Sequence, residues 1–433
     1  MLTVALLAVA PLAMAAGDEA PPTVLAIEGG IVVTVAGETI AGGTVLITEG
    51  KIAAVGREVT VPEGARRIDA TGKTVIPGLI DALSTLYLSA QELGEGSAIA
   101  PELRVTDGLD TYAKDLDEVL AHGVTAAHVA PGSRGLLAGT SAVVKVAPRP
   151  GSVPVVRDTV AVRGQIGVPT GPTTSSLVRL GTYASLREAL LGAREYEWAL
   201  GKYDRELARY ERKTAQPKAE EGKPAPPAEP AGEKPERPQK PGRDYASEAL
   251  LRVLHREVPL LIEAHRVADI LNALRLQDGF GVRLILLGAS EAYKVAPEIA
   301  RRDVPVIVAP VSLSVVGPSK LRYGEHRRSN AAQLARAGVK VVLGVGGDDW
   351  LDSKFVRASA AAAAAEGLPR DQALRAVTLS AAEVLGVADR IGSIAEGKDA
   401  DLAVIAGDPL DVRAPVDLVL VDGQIAYERG AAG

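Results

Sequence analysis

Short β-rich runs stand at both ends of this chain, and between them apolar strand-like runs alternate with amphipathic helical stretches. No other feature restricts the possible folds as much. From Thr23 to Ile76, the runs Thr23–Glu28, Ile31–Ala36, Gly43–Thr48, Lys51–Gly56 and Arg67–Asp69 are separated by glycine turns and predict a meander of strands. Asp401–Ala406 and Leu418–Tyr427 are again strand-like, which predicts one sheet built from the two ends and closing the chain around a central domain. Between them, Thr125–Val129, Pro259–Ala264, Arg283–Leu287, Val304–Val308 and Val339–Val345 alternate with helical patterns such as Ala268–Gln277, Ala292–Arg301 and Arg370–Leu385. That rhythm is the signature of parallel βα units, so the class is α/β and the central domain a barrel of such units.

Two stretches break the rhythm. Leu2–Ala16 is a short apolar run ending in Ala13-Met14-Ala15, before the polar Gly17-Asp18-Glu19. Small residues at that spacing suit signal-peptidase cleavage, so residues 1–16 are expected to be an export signal, with a periplasmic or extracellular destination and no stable membrane insertion after cleavage. Lys213–Arg243 holds eight of the chain's 28 prolines among Lys, Glu, Ala and Gly, a composition that cannot build a core. A disordered insertion is predicted there, after a helical pattern over Leu186–Arg212 whose charged part, Tyr196–Arg212, makes a long protruding helix that serves either as a stalk or as a docking element for a partner. The net charge of -6 comes without any basic stripe, which argues against nucleic-acid binding. With no cysteine, no disulfide is available.

Several segments together resemble one family. They are Gly50-Lys51-Ile52-Ala53-Ala54-Val55-Gly56, the run Ile68 to Ala82 containing Pro77-Gly78-Leu79-Ile80-Asp81-Ala82, Gly123-Val124-Thr125, Ala264-His265-Arg266-Val267-Ala268-Asp269-Ile270, Gly392 to Ile405, and Val421-Asp422-Gly423. In these the chain is similar to the amidohydrolase superfamily, in particular its imidazolonepropionase-like and dipeptidase-like branches. The resemblance implies a small composite β-sandwich from residues 22–76 and 392–430 and a (β/α)8 barrel of the TIM type over 77–391, interrupted by 213–243. It also implies one or two divalent metals at the C-terminal mouth of the barrel, polarising a carbonyl and activating water to hydrolyse carbon–nitrogen bonds. Homo-oligomers are expected only by analogy with the family.

The residues in the matching positions depart from that chemistry. The family's His-x-His after the Pro-Gly-Leu-Ile-Asp-Ala run falls on Leu83 and Thr85, and leucine has no lone pair to give a metal. Its next histidine falls on Glu263, with His265 two residues on; another falls on Gly288 or Ala289; its aspartate falls on Gly346, with Asp348 two positions later. Lys145 is the one candidate for a carboxylated lysine. The five histidines form no His-x-His or His-x-x-x-His pair.

The expected function is therefore that of a non-catalytic or strongly diverged homologue that binds a small-molecule ligand or a partner at the barrel mouth, with no cofactor, or at most a single divalent metal such as zinc. The alternative is a hydrolase of carbon–nitrogen bonds working through a rebuilt site of Glu263, His265 and Asp348, one carboxylate acting as base. A third reading makes the long helix and insertion part of a larger extracytoplasmic assembly. Glu263 needs a partner if buried, either Arg266 or another base. His128 and Asp81 are ligand-binding candidates, set against a satisfied core histidine and a loop-fixing carboxylate. His326, beside Arg327 and Arg328, either contacts an anionic ligand or is solvated.

Overall fold

The computed structural model describes residues 24–88, 99–114, 116–132, 135–146, 151, 153–167, 176–214, 236–309, 325–345 and 350–430. The N-terminal run, residues 215–235 of the proline-rich stretch, and Gly346 to Asp349 lie outside them. Numbered along the chain, the first strands are β1 (Leu25–Val33), β2 (Thr39–Thr48), β3 (Lys51–Gly56), β4 (Arg66–Asp69) and β5 (Thr74–Pro77). The central body holds β6 (Leu79–Ser84), β7 (Val124–Val129), β8 (Leu137–Thr140), β9 (Ala142–Lys145), β10 (Val155–Arg157), β11 (Val162–Gln165), β12 (Leu260–Ala264), β13 (Leu284–Gly288), β14 (Val306–Val308) and β15 (Val341–Leu343). The chain closes with β16 (Leu402–Ile405), β17 (Val416–Val421) and β18 (Gln424–Glu428).

The two ends share one eight-stranded sheet, in the order β18-β17-β16-β5-β1-β2-β3 with β4 beside β1. Its connectivity differs from a simple meander. Thr23–Glu28 and Ile31–Ala36, read as two runs, are the single strand β1. Gly29, at φ 78°, turns it through a bulge without ending it. The first half of β1 then runs parallel to β4 and the second half parallel to β5, so the bulge switches its partner. At the other end Leu418–Tyr427 is not one strand but the hairpin β17–β18. Asp422 and Gly423 both have positive φ at its turn, the conformation that an Asp-Gly hairpin uses.

Seven strands of the central body run parallel in two groups, β6–β7 and β11–β12–β13–β14–β15. Antiparallel β8, β9 and β10 stand between them in sequence; β8 pairs with β11, β9 with β7, and β10 with β9. The groups border one another on both sides. The Val345 N–H donates to Asp81 Oδ1 within β6, and Ser141, between β8 and β9, exchanges backbone hydrogen bonds with Val160 and Ala161 just before β11.

Alternate positions of these strands separate two apolar layers. Ile80, Ala82, Ala126, Leu261, Ile285, Leu287, Ile307 and Val342 pack together on one side, while Leu79, Ala127, Leu260, Ile262, Leu286, Val306 and Leu343 belong to the large cluster shared with the helices. The helix Val267–Phe280 follows β12 and stops at Gly281, whose φ of 72° lets its N–H cap the Gln277 carbonyl. The predicted long helix runs over Ser176–Thr214, and Asp244 caps the neighbouring helix Tyr245–Leu254 by accepting from the Ser247 N–H at 3.0 Å. Among the described residues no helix is long and apolar enough to cross a membrane.

Candidate active site at the ends of the parallel strands

Strand parity decides which polar side chains meet. Arg163 and Gln165 on β11 lie opposite Leu261 and Glu263 on β12, so all four face the side on which Ile80, Leu261 and Ile285 pack. Glu263 is buried there with two bases. Its Oε2 accepts from Arg163 Nη2 at 2.8 Å and its Oε1 lies 3.1 Å from His265 Nε2. The base expected to compensate the buried carboxylate is thus Arg163, on the neighbouring strand, together with His265. A second Arg163 nitrogen donates to the Pro131 carbonyl at 2.7 Å, which fixes the guanidinium against the loop after β7.

The far side of the His265 ring meets Ser290, with Nδ1 and Oγ 2.9 Å apart. Proton bookkeeping then sets the roles. A carboxylate accepts only, so Nε2 carries the hydrogen toward Glu263; Nδ1 is left with its lone pair and accepts from the Ser290 hydroxyl. Room for the ring comes from Gly288, where an added Cβ would lie 2.3 Å from His265 Cε1. The position expected to lack a family histidine is therefore filled by the imidazole of the strand beside it.

Leu83 is packed against the apolar layer that contains Ile80 and Ile307, and Gly344 lies so close to it that a Cβ there would sit 2.9 Å from the Leu83 Cβ. Among the described residues, the Thr85 hydroxyl and both polar atoms of the Gln165 amide are buried without a hydrogen-bond partner. Among the described residues no three His, Asp or Glu side chains are placed to hold a metal ion. Asp348, expected to join Glu263 and His265, and Gly346 lie outside the described residues.

The other expected residues have defined places. His128 Nδ1–H donates to the Ala82 carbonyl at 2.9 Å and Nε2 faces Ser141 Oγ at 2.8 Å, so both ring nitrogens are taken by protein groups. Burial, with the nearby Arg163 cation, holds its pKa down at about 4 against the bond to Ala82. Asp81 accepts from the Leu83 and Val345 N–H groups and from Ser353 Oγ at 2.7 Å, joining β6 to the end of β15. Burial outweighs those bonds and pushes its pKa up to about 6. His326 is held below the usual histidine range by burial first, then by Arg328 and His265, while Arg327 stacks 4.7 Å over the Tyr293 ring.

Lys145 is not at this site. Its ammonium is buried among Asp399 at 2.8 Å, Asp401 at 3.1 Å and Asp422, on the segments that carry the terminal sheet. Burial opposes its charge, but the three carboxylates outweigh it and its pKa is raised. A lysine held protonated in this way cannot offer the free amine that carboxylation needs, which corrects the expectation of a bridging ligand.

Arg163, Gln165 and Ser290 were not singled out from sequence. A signal was present: Val160 to Ile166 places Arg and Gln at alternate positions of an apolar strand, and Gly288-Ala289-Ser290 follows the apolar run of β13.

A sequence model of the family described as "Amidohydrolase family" matches residues 308–427. The amidohydrolase tasK of Hapsidospora irregularis is 24% identical over 428 residues, covering 89% of this chain and 40% of that protein. A dihydroorotase of Anaeromyxobacter dehalogenans (strain 2CP-C) is 39% identical over 85 residues, 20% of each. The chain thus spans well under half the length of these two relatives. The crystal structure of an amidohydrolase from Thermotoga maritima MSB8 superposes with a TM-score of 0.77 at 26% identity, covering 94% of this chain and all of that one. The fold is thus shared along nearly the whole length with an amidohydrolase structure and the family model is matched over the C-terminal part, so the chain is similar to members of the amidohydrolase superfamily in both.

Proposed function

We propose that this is a strongly diverged amidohydrolase-superfamily protein that takes up a small polar ligand at the mouth of its strands without a metal ion. In this reading the two parallel groups are the wall of a (β/α)8 barrel, and the terminal sheet belongs to a composite β-sandwich. The observation that carries the proposal is the 2.8 Å ion pair between Arg163 and Glu263. A guanidinium is a permanent cation. Placed beside the one carboxylate that stands in a family ligand position, it occupies that carboxylate and repels a second cation from the same pocket. Leu83 has no donor atom, and the space at Gly288 is filled by the His265 ring. The described donor set therefore does not fit the divalent metal that the superfamily implies, and no step is derived through one. Among the described residues, the Gln165 amide and the Thr85 hydroxyl have hydrogen-bonding capacity left for a ligand.

Elemental analysis of the purified protein, before and after dialysis against excess zinc, tests this. Well under one ion per chain, unchanged by Glu263→Gln, is expected. Near-stoichiometric metal that disappears with Glu263→Gln would sink the proposal.

A second reading, hydrolysis of a carbon–nitrogen bond by a rebuilt site, is favoured by the Ser290–His265–Glu263 chain of hydrogen bonds and by the hydrolase names of the relatives. The apolar run Leu2–Ala16 supports a place outside the cytoplasm for the protein.

A further inference from the structure

The geometry points to Ser290 as the nucleophile of an acyl-transfer site. We propose that Ser290, His265 and Glu263 act as a serine–histidine–carboxylate relay on a carboxylic ester or amide, a proposal that rests on the metal-free reading above and deepens it. Three independent features support it.

The first is connectivity. Ser290 Oγ lies 2.9 Å from His265 Nδ1, Nε2 lies 3.1 Å from Glu263 Oε1, and Arg163 holds the other carboxylate oxygen at 2.8 Å. A nucleophile, its base and the group that orients the base within hydrogen-bond reach is the arrangement that activated serines need. The carboxylate also fixes the tautomer in which the nitrogen facing Ser290 is the basic one.

The second is backbone shape. Ser290 stands at a sharp turn between β13 and the helical turn Ala292–Lys294, in the order Gly288-Ala289-Ser290-Glu291-Ala292. Gly288 has φ 77° and Ala289, a residue with a side chain, has φ 42°. Positive φ at a non-glycine residue is strain, and a strained strand-to-helix turn is how hydrolases of unrelated fold present a serine. The surroundings over-determine the turn. The Ala289 N–H donates to Leu287 O at 2.9 Å, the Ala289 carbonyl accepts from Asn330 Nδ2 at 3.0 Å, and the Glu291 N–H donates to His265 O at 2.9 Å. The last bond ties the serine turn directly to the backbone of its base.

The third is what the turn leaves out. Glycine at position 288 admits the imidazole, since any Cβ there would sit 2.3 Å from Cε1.

The step balances without a co-reactant other than water. Ser290 Oγ forms a bond to the acyl carbon as its proton passes to His265 Nδ1, and the carbonyl π pair moves onto oxygen. Collapse breaks the carbon–nitrogen or carbon–oxygen bond, and the leaving group departs with the proton from Nδ1. Water then attacks the Ser290 ester, gives a proton to Nδ1, and the acid leaves as Ser290 takes the proton back. Throughout, Glu263 accepts from Nε2–H and stabilises the imidazolium, and Arg163 positions Glu263.

The test uses the full chain after dialysis against a chelator, treated with an alkyl fluorophosphonate and read by intact mass and peptide mapping. One adduct per chain on the peptide carrying Ser290, gone in Ser290→Ala and formed roughly a hundredfold more slowly in His265→Gln, is expected. As a guard against a variant that merely misfolds, Ser290→Cys introduces the sole thiol of a chain without cysteine. Its alkylation by iodoacetamide is expected to slow about tenfold when His265→Gln is added. No adduct at Ser290, an adduct elsewhere, or a thiol indifferent to His265 overturns the proposal. Metal-free protein with no adduct removes the nucleophile alone, whereas stoichiometric zinc lost on Glu263→Gln removes the reading beneath it.

Discussion

The imidazole of His265 stands in the space that a side chain on Gly288 would need, 2.3 Å from the position of its Cβ. Gly288→Ala should therefore move the ring off Ser290 as well as place a side chain at φ 77°. The conformational cost is about 1–2 kcal/mol and the steric one about 1–3 kcal/mol, so a loss of roughly 2–5 kcal/mol is expected in urea unfolding. Gly281→Ala is the control: its φ is 72° but nothing lies within 4 Å of its Cβ, so only the first cost, about 1–2 kcal/mol, applies. Equal losses in the two variants would show that the ring does not fill the space at Gly288.

Lys145 carries a second testable relationship. It is buried among Asp399, Asp401 and Asp422, and removing one partner of a buried charge network leaves the others uncompensated. Lys145→Met should cost about 3–5 kcal/mol. Lys51 reaches the same Asp399 at 2.5 Å but is half exposed, and Lys51→Met should cost less than about 1 kcal/mol. Thermal unfolding of the two variants side by side checks the contrast; similar shifts would mean that the junction of terminal sheet and central body does not depend on Lys145.

Much of the architecture was legible because its signals are local. The apolar runs of β12 and β13 and the strands at both ends follow from patterns a few residues long, whereas the single helical pattern Arg370–Leu385 is two helices, Arg370–Ala376 and Leu379–Leu385. β1 was read as two strands because Gly29-Gly30 looks like a turn; whether a glycine pair ends a strand or bulges it depends on the partner strands, β4 and β5, found some 40 residues later in the chain. The site was legible only in its subtraction. Leu83 and Gly288 stand where the resemblance expects ligands, but nothing near Glu263 and His265 in sequence says that the carboxylate pairs with Arg163, a hundred residues earlier, or the imidazole with Ser290, just after the next strand. Lys145 shows the same limit: a lysine ending an apolar strand suits several roles, and only the return of the C-terminal segment with its three aspartates decides among them.

His128 predicts an acid sensitivity. Its pKa is about 4 in the folded chain, below the ordinary histidine value, so as pH falls below about 6.5 the unfolded chain binds the proton first. Folding is thereby weakened between pH ~6.5 and ~4, by about 3 kcal/mol in all. His128→Gln cannot take up that proton. The stability of the wild type relative to this variant should fall on going from pH 7 to pH 4.5, read by urea unfolding at each pH. A difference that stays constant across the range would contradict the buried, neutral histidine.

Asp81 predicts the opposite slope. Its folded pKa of about 6 lies above the value in an unfolded chain, so between pH ~4 and ~6 the folded state holds the extra proton. Stability from this group is full below the unfolded pKa and is lost as pH rises through about 6, to the extent of about 3 kcal/mol. Asp81→Asn keeps an acceptor for the Leu83 and Val345 N–H groups and does not titrate, although Ser353 must then accept rather than donate. The wild type follows the sum of this slope and that of His128, and their signs cancel between pH ~4 and ~6, so its own curve separates neither. The variant does: Asp81→Asn should gain on the wild type steadily from pH 4 to pH 7. If the gap between them does not widen with pH, Asp81 is ionised throughout and the joint between β6 and β15 is held by a charge and not by a shared proton.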